Sequence, residues 1–176
     1  MLFSERSIWT MVHGIGLGGG ALLGLAAALF YLYAARPAPL TAGIETESRA
    51  FAAVTVFTAI MLWLTVIVGT YIVFPPYRAT PPPGTTDLAQ FPRVLVLASP
   101  DTAWLHAFAM ETKEHVPWIA SMLTTAVASI AVRYRRTALT DPAMRRIALT
   151  LLATSFALVA FVSLLGVFVN KVAPLD

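Results

Sequence analysis

The sequence predicts an all-α fold: an integral membrane four-helix bundle with a proline-rich extramembrane loop between spans two and three. Three observations carry that prediction. Hydrophobic residues make up 58% of the chain and charged residues 12%, with a mean hydropathy of +0.76, which is membrane-protein composition. The apolar residues gather into four runs, each long enough to cross a ~30 Å hydrocarbon core. The arginines cluster beside those runs, as membrane-flanking cations do. At 176 residues, four spans leave no room for a second folded unit, so 1–176 reads as one domain.

The same features exclude several classes of function. A net charge of +3 and a pI near 9.6 would suit nucleic acid, but the arginines are placed for lipid and nucleic acid is rejected as a partner. The chain has no cysteine, so it offers no disulfide, thiolate metal site, iron–sulfur cluster or covalent c-type haem attachment.

Span one is expected over about 9–35. A cleaved signal peptide fits poorly, because the lead containing Glu5 and Arg6 has no net positive charge and the apolar run exceeds the usual ~7–15 residues. Glycines 14, 16, 18, 19, 20 and 24 leave one side bare, with Gly16, Gly20 and Gly24 spaced every fourth residue. Such a face lets another helix approach closely, or gives a flat macrocycle room. Arg36 to Arg49 reads as a turn-rich connection whose Glu45 and Glu47 favour a helix start.

Span two is expected over about 50–74, with Thr55, Thr58, Thr65 and Thr70 bonding their own backbone or a neighbouring helix. Six prolines follow between Pro75 and Arg93 and should stop the helix. Residues 75–113 are therefore an extramembrane cap. Within it, Ser99-Pro100-Asp101 signals a helix start near Thr102. Span three is expected over about 114–133, and its helix either projects above the membrane or breaks at Pro117. Span four is expected over about 147–169.

The loop 134–146 and its flanks hold Arg133, Arg135, Arg136, Arg145 and Arg146 against Asp141. Short Lys/Arg-rich loops stay cytoplasmic. Both termini and the 75–115 region then face outward, as in a bacterial inner-membrane protein. Trp9, Tyr77, Trp104 and Trp118 on the outer side, with Tyr31, Tyr33 and Tyr134 on the inner, read as interfacial belts.

Chemistry concentrates in Trp104 to Trp118, WLHAFAMETKEHVPW. It carries His106 and His115, and topology sets His13 and His115 at similar depth near the outer surface. His106 and His115 stand nine residues apart, so a continuous helix points them to opposite sides. Two imidazoles from facing helices suit a b-type haem. The expected axial pair is His13 with His115, or with His106 as the alternative. Gly16 and Gly20 would make room, Arg78, Arg93, Lys113 and Lys171 would pair the propionates, and Glu111 would orient His115.

The expectation is a small, non-catalytic subunit of a respiratory or photosynthetic electron-transfer complex. Its partners would be other membrane subunits, lipid, and a quinol or an outer-side cytochrome. Three readings stand beside it. A cofactor-free assembly subunit would use the histidines only to bond backbone or water. A quinol site would use His115 and Glu111 as proton acceptors. A copper or zinc site would have to gather His13, His106, His115, Glu111, Glu114 and Met110 from separate segments.

Overall fold

The structure, a computed structural model, describes residues 3–34 and 43–175. Six helices account for most of them: α1 (Glu5–Ala34), α2 (Ile44–Arg78), α3 (Pro92–Leu97), α4 (Pro100–Tyr134), α5 (Arg136–Thr140) and α6 (Pro142–Val172). No strand occurs among the described residues. Four helices, α1, α2, α4 and α6, are long and apolar enough to cross a membrane. The part of the first connection expected over 36–42 lies outside the described residues.

Local chemistry starts these helices where the sequence signals them. Ser4 caps α1 by accepting from the Ser7 N–H at 3.2 Å. Ser99 Oγ accepts from the Asp101 N–H at 3.2 Å, and Asp141 Oδ1 from the Met144 N–H at 2.8 Å. In both cases a proline follows the cap and enters the first turn without losing a needed donor.

Two boundaries differ from expectation: α2 does not stop at Pro75, and α6 begins at Pro142 rather than about 147, so that with α5 much of the expected 134–146 loop is helical. Helix α2 runs past Pro75 and Pro76 to Arg78, because a π-helical turn over Gly69–Val73 precedes them. That turn resets the hydrogen-bond register, so the prolines occupy a new first turn where a missing N–H is tolerated. Helix α4 starts at Pro100 and continues unbroken through Pro117. Much of the expected 75–113 cap is thus helical.

The four long helices pack in a closed cycle, α1 on α2, α2 on α4, α4 on α6 and α6 on α1. Their buried positions recur at spacings of three or four: Ala21, Leu25, Ala28 and Leu32 on α1; Phe51, Thr55, Thr58, Leu62 and Val66 on α2; Ala120, Thr124, Val127 and Ala131 on α4; Ala148, Leu152, Ser155, Val159 and Val162 on α6. This is the seam of a left-handed helical bundle. Small residues dominate it and let the backbones approach. Most of its hydroxyls bond within their own helices, as in Thr55 Oγ1 to the Phe51 carbonyl at 3.0 Å and Thr58 Oγ1 to the Val54 carbonyl at 2.7 Å, whereas Thr124 Oγ1 is buried without a partner among the described residues. The outer surface is the more apolar one; Ile15 and Leu23 are 75% and 74% exposed.

Polar clamps close both ends. At one end Arg6 Nη2 donates to the Pro174 carbonyl at 3.3 Å, joining the two terminal regions. At the other end Arg145 Nε donates to the Leu32 carbonyl at 3.0 Å. There Glu45 also meets Arg136 at 2.8 Å, Arg49 at 3.0 Å and Arg135 at 3.4 Å. The terminal regions and the 79–99 segment therefore share one end, and the arginine-rich 135–141 segment occupies the other.

Candidate functional site

Three π-helical turns interrupt the long helices, at Val12–Gly18, Gly69–Val73 and Leu105–Met110. All three fall in the third of the bundle nearest the terminal regions. A π turn is rare and costs hydrogen-bond geometry, and such turns gather at functional sites. Here the first carries His13, the second Gly69 and the third His106.

His13 points into the bundle. Its ring lies over Gly69: a methyl group there would stand 2.6 Å from Cε1, 3.2 Å from Nδ1 and 3.3 Å from Nε2. The imidazole faces the Thr65 backbone, and its Nδ1 is buried with no hydrogen-bond partner among the described residues. Lys113 reaches the same level from α4 and acts on His13 electrostatically. Its ammonium lies against Gly166 of α6, where a methyl group would come within 2.7 Å of Nζ. Among the described residues Lys113 makes no ion pair. Four helices thus contribute to one polar centre: His13, Gly69 with Thr65, Lys113 and Gly166. Pro117 adds to it, because it lacks the N–H that would bond the Lys113 carbonyl one turn back.

A groove of about 220 Å³ opens between the ends of α1 and α2, lined by Glu5, Arg6, Trp9, Ile72, Val73 and Pro76. Trp9 precedes His13 by four residues, while Ile72 and Val73 follow Gly69 by three and four. The groove therefore lies one helical turn outward from the imidazole–glycine contact.

The remaining histidines sit elsewhere. His106 Nδ1 and the Tyr77 hydroxyl are 3.1 Å apart, with ring centroids at 6.0 Å. Tyr77 is buried, so it is a packing and hydrogen-bonding residue rather than the belt residue expected. Arg93 and Glu114 lie within electrostatic range of it, and Arg93 Nε is buried without a partner among the described residues. His115 is exposed, and its Nδ1 meets the backbone carbonyl of Glu111 at 2.8 Å. The Glu111 carboxylate expected to orient that ring does not make the contact. A carbonyl only accepts, so Nδ1 carries the proton and Nε2 presents a free lone pair.

The other expected site residues are dispersed. Gly20 packs against Met61 and Gly24 against Thr58, whereas Gly16 has open space around it. The π turn over Val12–Gly18 shifts the register, so Gly16 does not stay in line with Gly20 and Gly24. Arg78 is exposed, its guanidinium 5.4 Å from the Phe74 ring centroid. Lys171 is exposed at the end of α6. Among the described residues no group of three or more His, Asp or Glu side chains is placed to hold a metal ion.

Sequence reasoning passed over Gly69 and Gly166, read Thr65 only as a hydroxyl bonding backbone, which it does at 2.7 Å from the Met61 carbonyl, and assigned Lys113 to a propionate rather than to the bundle centre. A signal existed, since a lone glycine inside a helical run often marks close packing or a site. Compared with known proteins, the chain matches no family model, no curated protein and no solved structure.

Proposed function

We propose that the chain spans the bacterial inner membrane with its termini outside, as a small subunit of an electron-transfer complex. In this reading it binds a quinol or quinone headgroup in the groove between α1 and α2. The carrying observation is the buried Nδ1 of His13, without a hydrogen-bond partner among the described residues and one helical turn inward from the groove's Trp9. Leaving a buried polar atom unpaired costs about 1–3 kcal/mol, and a ligand hydroxyl would relieve it. An ionisable group inside an apolar helix is retained against its insertion cost only where it works. The small, hydroxyl-rich interior and large apolar exterior support the membrane reading.

The chemistry follows from the residues. The groove wall of Trp9, Ile72, Val73 and Pro76 suits a flat apolar ring, and His13 accepts one hydroxyl proton as the quinol loses one electron, which leaves the neutral semiquinone. The electron leaves to a one-electron acceptor in a partner subunit.

A second reading is supported by His115. Its Nδ1 is anchored on a backbone carbonyl and its Nε2 lone pair is free on an exposed face, the arrangement of an axial haem ligand. In that reading a haem b sits at the surface shared with a partner.

Trp9 provides the assay. A short-chain quinone titrated into the purified chain should quench tryptophan fluorescence saturably, and Trp9→Phe should remove most of the quenching. His13→Gln should weaken affinity about tenfold, the value of one or so hydrogen bonds. Absence of saturable quenching in a folded preparation would overturn the quinol reading. A b-type difference spectrum that His115→Ala abolishes would put the haem reading in its place.

A further inference from the structure

The end of the bundle opposite the terminal regions holds a second groove, independent of His13, whose reading rests on the proposed membrane-spanning orientation. A groove of about 150 Å³ lies between α2 and α4, lined by Ser48, Arg49, Ala52, Val132 and Arg135. That is the share of about five water molecules in the liquid. Its charged walls are both arginines. The two guanidiniums converge on one atom, Glu45 Oε1, at 3.0 Å and 3.4 Å, while Arg136 takes the other carboxylate oxygen at 2.8 Å. One carboxylate therefore meets three cations and leaves a surplus of positive charge, and Glu45 itself does not line the groove. Each guanidinium spends one nitrogen on Glu45 and keeps the other donors of its fork.

Arg135 is the one non-glycine residue with a positive φ among the described residues, at +43°. Backbone strain of this kind collects at binding sites. From the groove an apolar stripe runs along α2 through Ala52 to Val56 and Ile60, the last two exposed at 37% and 53%.

We infer that this groove binds the phosphate of an anionic phospholipid, with Arg49 and Arg135 gripping the headgroup and the Ala52–Val56–Ile60 stripe carrying an acyl chain. Basic recesses between helices at the cytoplasmic face suit such headgroups. Free inorganic phosphate shares the recognition chemistry but gains nothing from the stripe.

The test uses the full chain in nanodiscs of phosphatidylcholine with a minor fraction of phosphatidylglycerol, with retained lipid counted by native mass spectrometry after mild detergent release. The wild type should retain phosphatidylglycerol over phosphatidylcholine. Arg49→Gln with Arg135→Gln should weaken that retention about 30-fold, from two cations at the membrane surface. Arg146→Gln removes a charge outside the groove and should change it little. Glu45→Gln frees both walls and should strengthen retention. Equal losses in the Arg146 and groove variants would show diffuse attraction and overturn the inference. So would displacement of the lipid by millimolar inorganic phosphate. The wild-type lipid preference stands as a test even if the double variant fails to fold.

Discussion

Replacing Gly69 with alanine tests the imidazole–glycine contact at the centre of the bundle. The added carbon would stand 2.6 Å from His13 Cε1, whereas carbon pairs settle at about 3.5–4.0 Å. The ring must then retreat by about 1 Å, against a bundle wall that holds Lys113 and Thr65. Overpacking of this size costs about 1–3 kcal/mol. Alanine returns about 1 kcal/mol through its higher helix propensity, so the single variant should be destabilised by about 1 kcal/mol. In a His13→Ala background the clash is gone and only the propensity gain remains, so the same substitution should stabilise. The double-mutant cycle should therefore give a coupling on the order of 2 kcal/mol, read by reversible unfolding in mixed detergent micelles. Additivity within about 0.5 kcal/mol would mean that the ring does not rest on Gly69. The placement of His13 in the centre would then be refuted.

The other predictions can be checked with the same preparation. Gly24→Ala should cost about 1–3 kcal/mol, because its methyl meets Thr58 in a close-packed interface, whereas Gly14→Ala and Gly16→Ala face open space and should be neutral or stabilising by up to about 1 kcal/mol. An order of stability that does not separate Gly24 from the other two would count against the α1–α2 packing. Lys113→Met should raise stability by about 1–3 kcal/mol, because it removes an ammonium that makes no ion pair among the described residues from an apolar interior. A fall in stability would mean that the ammonium has a partner. Glu45→Gln should lower stability at low salt and progressively less at high salt, because exposed ion pairs are screened. Since the chain has no cysteine, single cysteines at Thr86 and Thr137 can be labelled in intact cells. Labelling of position 86 alone from outside is expected, and the reverse pattern would invert the orientation.

Much of the architecture was legible in the sequence because lipid imposes a length and a composition on any helix that crosses it. The four long helices, the Ser99 cap and the shared end of His13 and the α4 histidines follow from apolar runs, a capping residue and chain direction. The helix ends were less legible. Pro75 and Pro76 read as stops, and only the π turn over Gly69–Val73 made them a permitted first turn. Pro117 sits within a helix that neighbours hold on both sides. The alignment of Gly16 with Gly20 and Gly24 was real in sequence spacing and lost in space for the same kind of reason.

The sequence by itself determined that this is an all-helical chain with four membrane-length helices, and that its histidines belong to the end holding the terminal regions. Which face of each helix turns inward was left to the tertiary structure. In a soluble protein the inner face announces itself by being more apolar than the outer. Here every face is apolar, and the seam differs by being small and hydroxyl-bearing, a property that only packing selects. The pairing of His13 with Lys113 arises in the same way. Lone glycines on α2 and α6, at positions 69 and 166, make space for one side chain from α1 and one from α4, and no spacing along a single helix encodes a meeting of four.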